Sequence, residues 1–215
     1  MAELVPTYRT TGKRLRDRYS QQVADLHAIL DEGFLCQVAY VRDGTPRLIP
    51  TFYVRVGDSL FLHGSTGSTL GLGAREGIDV AVAVTHLDAL IYARSGFEHS
   101  ANYRSAVVHG RGTLVVDPTE REAVLDAFVE RFSPGRSALL RRPTTDELAK
   151  TAILQLSLVE ASVKIGATGV EDAEGDEDAP VWAGLLPLPV TAGVHIPDND
   201  KATLYDVPTL PFPLQ

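Results

Sequence analysis

Three extended segments separated by tight turns dominate residues 34–63. Phe34 to Val41 is rich in aromatic, aliphatic and β-branched residues, Asp43-Gly44 follows it, and Arg47 to Val56 continues extended. Asp-Gly is a preferred pair for a hairpin turn. A second turn at Gly57-Asp58 leads into Ser59 to His63. Because parallel neighbours need a long crossover, connections this short predict an antiparallel meander and disfavour a parallel α/β architecture.

The middle of the chain extends the β pattern. Ile78 to Thr85 and Ala89 to Arg94 form two further apolar runs with a short interruption, and Tyr103 to Val116 forms a long third one. Gly110 and Gly112 inside the last run predict a bulge or bend, as a strand at a barrel corner requires. These features favour closure of the sheet into a barrel.

Short helices are expected between the strands. Apolar residues within 23–30 recur at helical spacing, and Gly33 follows where a C-terminal cap belongs. Asp117-Pro118-Thr119-Glu120 combines an N-cap residue, proline at the first helical position and a glutamate three residues after the cap. This pattern predicts a second helix to about Phe132.

The last third of the chain is predicted from weaker signals. Thr144 or Thr145 caps a further short helix, and the alternation within 154–159 predicts another strand. The like-charged run 171–178 has no apolar content, which predicts a solvated, mobile loop. The apolar, proline-punctuated segment 181–188 is expected to form an edge strand.

Bulk properties narrow the function classes. Hydrophobic residues make up 44% and charged residues 22% of the 215 residues, as in ordinary soluble domains. A formal charge of −8 disfavours nucleic-acid binding. Cys36 is the only cysteine, and no leader or membrane segment is apparent, so we expect a cytoplasmic protein in a reducing compartment. We expect a single domain over 1–215, with an N-terminal arm at about 1–19 and a C-terminal extension at about 190–215.

Two segments carry residues suited to ligand binding. His63 to Gly71 combines hydroxyls and glycines directly after a strand, a composition that lets backbone and side chains approach phosphate oxygens, although it matches no standard nucleotide motif. Arg94 to Ser105 concentrates polar, charged and aromatic groups in one connection. His99 next to Glu98 has no second histidine at ligand spacing, so no metal site is expected. The absence of a G-x-S-x-G motif disfavours a hydrolase.

Four motifs in order resemble a known family. Pro50-Thr51-Phe52-Tyr53, His63-Gly64-Ser65, Asn102-Tyr103-Arg104-Ser105 and Pro180-Val181-Trp182-Ala183-Gly184 resemble the flavin-nucleotide-binding branch of the pyridoxamine 5′-phosphate oxidase-like split barrels, which includes nitroimidazole-resistance reductases. The likeness spans about residues 9 to 190. It implies a mainly β (α+β) fold, a six-stranded antiparallel Greek-key split β-barrel with a few peripheral helices.

The resemblance also implies a cofactor site. It implies a homodimer with flavin mononucleotide (FMN) sites at the interface, and an oxidoreductase that transfers hydride to a small substrate of unknown identity. No catalytic residue of the protein follows from it. The residues that would bind the cofactor are Pro50, Thr51, Tyr53, His63, Gly64, Ser65, Ser68, Thr69, Ser100, Tyr103, Arg104, Ser105 and, from the other subunit, Trp182.

Two positions depart from the family pattern. The phosphate loop reads Ser68-Thr69-Leu70, without the usual cation, and Glu98 stands where a histidine often precedes another. Charge-assisted hydrogen bonds are about twice as strong as neutral ones, so the missing cation bears on FMN affinity. Arg94 or Arg104 could balance Glu98. The alternatives are a non-catalytic split barrel that binds haem, a deazaflavin or flavin without turnover, and a structural homodimer without a ligand.

Overall fold

The chain folds into an antiparallel sheet with a few short helices. The computed structural model describes residues 2–209, within which nine strands and four α-helices are found. The strands are β1 (Tyr19–Ser20), β2 (Leu35–Arg42), β3 (Thr45–Val56), β4 (Ser59–Ser65), β5 (Ile78–Tyr92), β6 (Ser100–Leu114), β7 (Thr151–Ser157), β8 (Ala161–Ile165) and β9 (Gly184–Pro187). The helices are α1 (Val23–Glu32), α2 (Thr69–Ala74), α3 (Pro118–Phe132) and α4 (Thr145–Lys150).

The sheet closes into a ring. Its strand order is β1-β8-β6-β7-β4-β3-β2-β5-β9, and an additional pairing joins β5 to β6. Six strands therefore form a closed circuit, β6-β7-β4-β3-β2-β5, to which β8, β1 and β9 are added. All of these pairings are antiparallel. The mainly β fold with few helices confirms the fold class predicted from the sequence.

The meander and the helix signals agree with the structure. Asp43 and Gly44 both have positive φ, 51° and 71°, as a tight hairpin turn between β2 and β3 requires. The side chain of Asp117 accepts a hydrogen bond from Glu120 N and so caps α3. Thr144 forms a complete capping box at α4. The strand β8 was not predicted.

The central strands differ from expectation. The two apolar runs predicted at 78–85 and 89–94 form one strand, β5, whose register shifts between Leu87 and Ala89. The bulge expected at Gly110 and Gly112 is absent from the described pairing, since Gly110 pairs regularly with Val80 and Gly112 with Ile78. These glycines leave room for inner side chains instead: a Cβ atom at Gly110 would lie 2.8 Å from Leu156 Cδ1.

Apolar residues fill the ring and one outer layer. Inward-facing residues such as Val38, Leu60 and Val82 are almost completely buried, and α1 covers one end of the barrel with Leu26, Ile29 and Leu30. A second apolar cluster lies between α3 and the strands β3, β4 and β7. Within the described residues, no helix has the length and apolar character needed to cross a membrane.

The acidic segment is not a freely solvated loop, contrary to the sequence-based expectation. The side chain of Asp172 is only 6% exposed, and it accepts hydrogen bonds from Arg94 N at 2.7 Å and Arg94 Nη1 at 2.5 Å. Asn102 also holds this segment through Thr168 N and Thr168 O. We call residues 166–183 the strap. Its other carboxylates are mostly exposed, so the expectation fails specifically at Asp172.

Candidate functional site

A groove lies at one end of the barrel, between β3, the end of β4 and α2. It has a volume of about 170 Å³. Six residues predicted to bind a cofactor line it: Pro50, Thr51, His63, Gly64, Ser65 and Ser68. The antiparallel pairing of β3 with β4, which sets Tyr53 opposite Leu62, brings the two motifs of these consecutive strands together. We refer to this cavity as the groove.

Hydroxyl groups hold the loop between β4 and α2 in place. Ser68 Oγ donates to Ser65 O at 2.8 Å and accepts from Gly71 N at 3.0 Å. Ser65 Oγ accepts from Gly67 N at 3.2 Å. A Cβ atom at Gly71 would lie 2.5 Å from Ser65 O, which explains the glycine at this position. The serines therefore shape the loop as well as lining the groove, while Thr69 is exposed at the start of α2.

A cation that the sequence did not single out lies on β3, two residues before the part of the strand that lines the groove. Arg47 is exposed, and it makes no ion pair within residues 2–209. Cross-strand partners share a face, and Arg47, Ile49 and Thr51 pair with the buried residues Tyr40, Val38 and Cys36 of β2. The alternation of β3 was the signal that could have identified Arg47, since it places this residue on the same face as Thr51.

A second cavity of about 550 Å³ adjoins His63. We call it the apolar cavity. Its walls come from α3, α4 and the segment between them, and its lining residues are His63, Leu125, Phe128, Val129, Phe132, Leu140, Arg141, Pro143, Glu147, Leu148 and Thr151. The His63 ring packs edge-on against Phe128, with 4.6 Å between centroids. His63 lines both cavities.

The environment of His63 favours its neutral form. The side chain is exposed at the cavity rim, yet the surrounding protein desolvates the ring and lowers its pKa below the ordinary value of 6.5. A neutral imidazole has a free nitrogen lone pair, which is what a metal centre requires of a histidine ligand. The arrangement therefore presents one candidate ligand atom beside an apolar space.

The other predicted residues lie elsewhere. Ser100, Tyr103, Arg104 and Ser105 belong to β6 and do not line the groove. Arg104 binds two carboxylates, Glu32 at 2.5 and 2.9 Å and Asp88 at 2.7 and 3.0 Å, and these bonds raise its pKa. Its charge is therefore already balanced. Tyr103 Oη accepts from Lys164 Nζ at 2.5 Å, and Arg94 is paired with the strap.

Tyr53 and Trp182 occupy opposite environments. Tyr53 is 1% exposed, and its hydroxyl donates to Leu30 O at 2.7 Å, so it is part of the barrel interior. Trp182 is 69% exposed and contacts Tyr92, which in turn contacts His99. The predicted contact of Trp182 with a second subunit is compatible with this exposure, but it stays a prediction.

One face of the barrel is apolar and exposed. On β2, Leu35, Gln37, Ala39 and Val41 alternate with buried residues, and their partners on β3 are Phe52, Pro50, Leu48 and Pro46. The exposed fractions are 52% for Leu35, 63% for Val41 and 66% for Leu48. We call this surface the outer face. Contiguous apolar surface of this kind marks an interaction site in soluble proteins.

The ring of six strands with a groove at its end places the chain among antiparallel β-barrels. A family model described as pyridoxamine 5′-phosphate oxidase matches residues 22–165. The chain belongs to this family. The sequence-based assignment to the pyridoxamine 5′-phosphate oxidase-like split barrels is thereby confirmed.

Two solved structures resemble nearly the whole chain. The FAD and heme binding protein from Mycobacterium smegmatis is 40% identical, with a TM-score of 0.83, covering 89% of this chain and 94% of that one. The flavocytochrome Anf3 from Azotobacter vinelandii is 32% identical, with a TM-score of 0.86 and coverage of 98% and 95%.

More distant similarity concerns the fold alone. A protein from Bacteroides thetaiotaomicron assigned to 5-nitroimidazole antibiotic resistance is 14% identical, with a TM-score of 0.58, covering 68% of this chain and 86% of that one. No curated protein sequence matches the chain.

Proposed function

We propose that the protein binds a flavin nucleotide in the groove and acts as a redox protein. The observation that carries this proposal is the groove itself, which gathers six of the cofactor-binding residues that the family resemblance implies, from β3, the end of β4 and the loop before α2. The 40% identical relative is named as an FAD and haem binding protein, which supports the same class of cofactor. When bound, flavin supplies hydride and single-electron chemistry, and the protein orients and tunes it.

The residues of the groove suit contact with part of a flavin nucleotide, since its volume of about 170 Å³ is smaller than the range of about 300–1,000 Å³ usual for complete ligand sites. Pro50 and Thr51 offer a strand edge for a flat ring, and the glycines around Ser65 permit close approach of the backbone. Arg47 lies further along β3 and has no ion-pair partner among the described residues, so it can neutralise a phosphate. The loop Ser68-Thr69 lacks a cation, and Arg47 of β3 would supply the positive charge instead. FMN is the minimal ligand that uses all of these groups.

A second cofactor, haem, is supported by the apolar cavity. Its volume of about 550 Å³ is within the range of ligand sites, and its lining combines Phe128, Phe132 and aliphatic side chains with a single histidine, His63. Arg141 at the margin is available to pair with an acidic substituent, in exchange for Glu147, which it now contacts at 2.6 Å. Both close relatives are named as proteins that combine flavin with haem or cytochrome character.

As a flavin-binding redox protein, it would transfer hydride to a small substrate in the cytoplasm. The chain supplies binding and orientation for this reaction, and no residue of the groove is assigned as a catalytic acid or base. Cys36, the only cysteine, is buried beside Thr51 O, and burial raises the pKa of its thiol to about 12. This thiol is therefore inert, which is compatible with a reducing compartment.

We further propose that the outer face forms a homodimer. The exposed side chains of Leu35, Leu48 and Phe52 are apolar, and they lie beside Pro50, which also lines the groove. A two-fold interface buries the same surface on both copies and closes two equal grooves. Leu48→Glu is expected to convert the dimer into a monomer in light scattering, whereas Val159→Glu, at a 76% exposed position on a turn, is the matched control. A Leu48→Glu protein of unchanged mass would contradict this interface.

The flavin proposal is tested by spectroscopy and titration. Purified protein reconstituted with FMN should retain flavin absorbance after gel filtration, and Arg47→Gln should weaken FMN binding about tenfold or more by removing a charge-assisted hydrogen bond. Arg42→Gln, an exposed arginine of the same hairpin, is the control. Failure of FMN, FAD and riboflavin alike to bind would reject the proposal.

The haem proposal has an independent readout. Haemin added to the apoprotein should give a sharp Soret band, and His63→Ala should shift that band and weaken binding because the candidate ligand nitrogen is lost. His99→Ala removes a histidine that does not line the apolar cavity and should leave the Soret band unchanged. Equal spectra for the native protein and His63→Ala would show that His63 does not ligate the haem.

A further inference from the structure

The chain after β9 leaves apolar side chains uncovered. It forms no further strand up to residue 209. Val190, Val194 and Ile196 are 89%, 93% and 92% exposed, so their own protomer covers almost none of their surface. Single exposed apolar residues are ordinary in soluble proteins, whereas several of them in one short segment indicate a surface that binds a partner. We call residues 189–200 the tail.

A third cavity, of about 610 Å³, lies at the margin of the outer face. We call it the cleft. Parts of β2, β3, β5 and β6 line it, and Val41, Pro46 and Ala81 give it an apolar floor. Val41 and Pro46 also belong to the outer face, on β2 and β3. The cleft is thus continuous with the surface proposed as the dimer interface.

The cleft is cationic in a chain whose formal charge is −8. Three arginines line it, Arg9, Arg47 and Arg111, whereas Asp79 is the only acidic residue of its lining. Arg9 is already paired with Glu160, and Arg47 is the cation assigned above to the flavin phosphate. Arg111 therefore remains for a further anionic group.

Arg111 is held in place and keeps free donors. Its Nη2 donates to Glu76 O at 2.5 Å. Its Nη1 lies 3.9 Å from the carboxylate of Asp79, which is 83% exposed, so this ion pair is weak. A guanidinium carries five N–H donors and can bind a carboxylate through two of them at once. Arg111 is therefore suited to a second carboxylate that enters the cleft.

The tail matches the cleft in spacing, polarity and charge. Val194, Ile196 and Asp198 are two residues apart, so they share one face of the tail wherever it runs extended, at intervals of about 7 Å. The Asp198 carboxylate accepts a hydrogen bond from the neighbouring Asn199 and forms no ion pair within residues 2–209. One face of the tail therefore presents two apolar side chains and then a carboxylate, which is opposite in charge to Arg111.

The cleft and the start of the tail lie at opposite ends of β5. β9 pairs with residues 89–92, whereas residues 78–81 line the cleft. Leu188 N donates to Asp88 O at 2.9 Å, which fixes the start of the tail beside Asp88. Asp88 and Asp79 are about 30 Å apart at the usual rise per residue. A two-fold axis across the strands of the outer face reverses the strand direction, so it brings the β9 end of one copy near the cleft of the other.

We propose that the tail of each subunit binds in the cleft of the other, with Val194 and Ile196 on the apolar floor and Asp198 paired with Arg111. This inference rests on the homodimer proposed through the outer face. The exchange is reciprocal, so one dimer contains two such contacts. Each contact covers the apolar side chains of a tail and balances the charge of an Arg111.

Disulfide trapping between two variants tests the contact. Cys36 is the only cysteine and is buried, so introduced cysteines react without background. Asp79→Cys and Asn199→Cys leave the side chains of the proposed contact intact, and they are made in separate proteins of different mass. After subunit exchange and mild oxidation, the mixture should contain a disulfide-linked dimer of the two variants. Asp146→Cys, on α4 and away from the cleft, replaces Asp79→Cys in the control and should give no such dimer.

The outcomes separate this inference from the dimer itself. A mixture that is dimeric by light scattering and forms no mixed disulfide would overturn the tail contact and leave the outer-face dimer intact. A monomeric mixture would overturn both.

Charge reversal tests the pair of Arg111 with Asp198. Asp198→Arg alters an exposed side chain with little risk to folding, and it should weaken the dimer several-fold in sedimentation equilibrium because two like charges then meet. Arg111→Glu should do the same. The double variant should restore the native dimer affinity, since the pair forms again with its charges exchanged. Asp206→Arg makes the same charge change outside the tail and should have no effect. A double variant as weak as the single variants would overturn the pairing.

Discussion

One substitution at Tyr53 distinguishes a structural role of its hydroxyl from a role in cofactor binding. The family resemblance places it against the flavin ring, whereas the structure buries it, with its hydroxyl donating to Leu30 O at 2.7 Å. Leu30 is in the last turn of α1, where carbonyl groups lack partners within the helix. Burial raises the pKa of Tyr53, so the hydroxyl stays protonated and remains a donor at every ordinary pH. Tyr53→Phe removes this one hydrogen bond and keeps the ring.

The expected loss of stability follows from burial. Both Tyr53 and Leu30 are 1% exposed, so the carbonyl left without a donor cannot turn to water. An unsatisfied buried group costs about 1–3 kcal/mol. For a chain of this size, each kcal/mol lowers the melting temperature by about 2–4 °C. Tyr53→Phe should therefore lower the melting temperature by about 4–8 °C for a cost of about 2 kcal/mol.

The assay compares stability with flavin affinity. Thermal unfolding is followed by circular dichroism, and FMN binding is titrated at a temperature where both proteins are folded. Tyr8→Phe, at an 89% exposed tyrosine, is the control and should change neither quantity. We expect Tyr53→Phe to be destabilised with unchanged FMN affinity. A protein of native melting temperature that binds FMN more weakly would refute this reasoning and place the hydroxyl on the flavin.

Three further outcomes are expected. Asp172→Asn, which weakens the contact with Arg94, should release the strap and make proteolytic cleavage within it several-fold faster, as seen by limited digestion. Hydrogen bonds from Arg9 and Thr7 lower the pKa of Glu160 to about 2. The contribution of Glu160 to stability is therefore present above the ordinary pKa of a glutamate and is lost as the pH falls towards 2. Glu160→Gln should reduce this acid sensitivity in melting curves. Because the pKa of His63 is lowered, haemin binding should persist below pH 6.5 and decline only in more acidic buffer.

Each outcome has a matched comparison. Glu174→Gln alters an exposed carboxylate of the strap and should leave the digestion rate unchanged. The melting temperature of Glu160→Gln should be lower than native near neutral pH and approach it at low pH; a constant difference would contradict the titration argument. Haemin binding that declines above pH 6.5 would contradict the neutral state assigned to His63.

Local patterns made much of the fold predictable. The Asp43-Gly44 turn and the Asp117 cap depend on residues adjacent in sequence, so their chemistry is visible without the tertiary structure. The bulge placed at Gly110 was wrong because the reason for that glycine is the side chain of Leu156 on β7, far along the chain. The strap was misjudged for the same reason, since the partner of Asp172 lies 78 residues away at Arg94.

The structure brings some of the predicted site residues together and separates others, and their role in cofactor binding stays a prediction. The residues near Pro50 and His63 line one groove, as the resemblance implies. Arg104 shows the limit of motif transfer, because a motif does not reveal that Glu32 and Asp88 already neutralise its charge. Arg47 was missed because an isolated arginine on a strand carries no motif, and only the pairing of β3 with β2 shows which face it occupies.

The long strands β5 and β6 have a consequence for how the protein responds to its ligands. Their pairing extends from Ile78–Gly112 to Ile91–Ser100, so one ladder of hydrogen bonds passes through the barrel and also carries β9. Long central ladders of this kind belong to the most stable part of a fold, which exchanges its amide hydrogens mainly through global unfolding. Occupancy of the groove or the apolar cavity would then slow amide hydrogen exchange throughout β5 and β6 rather than only beside the ligand.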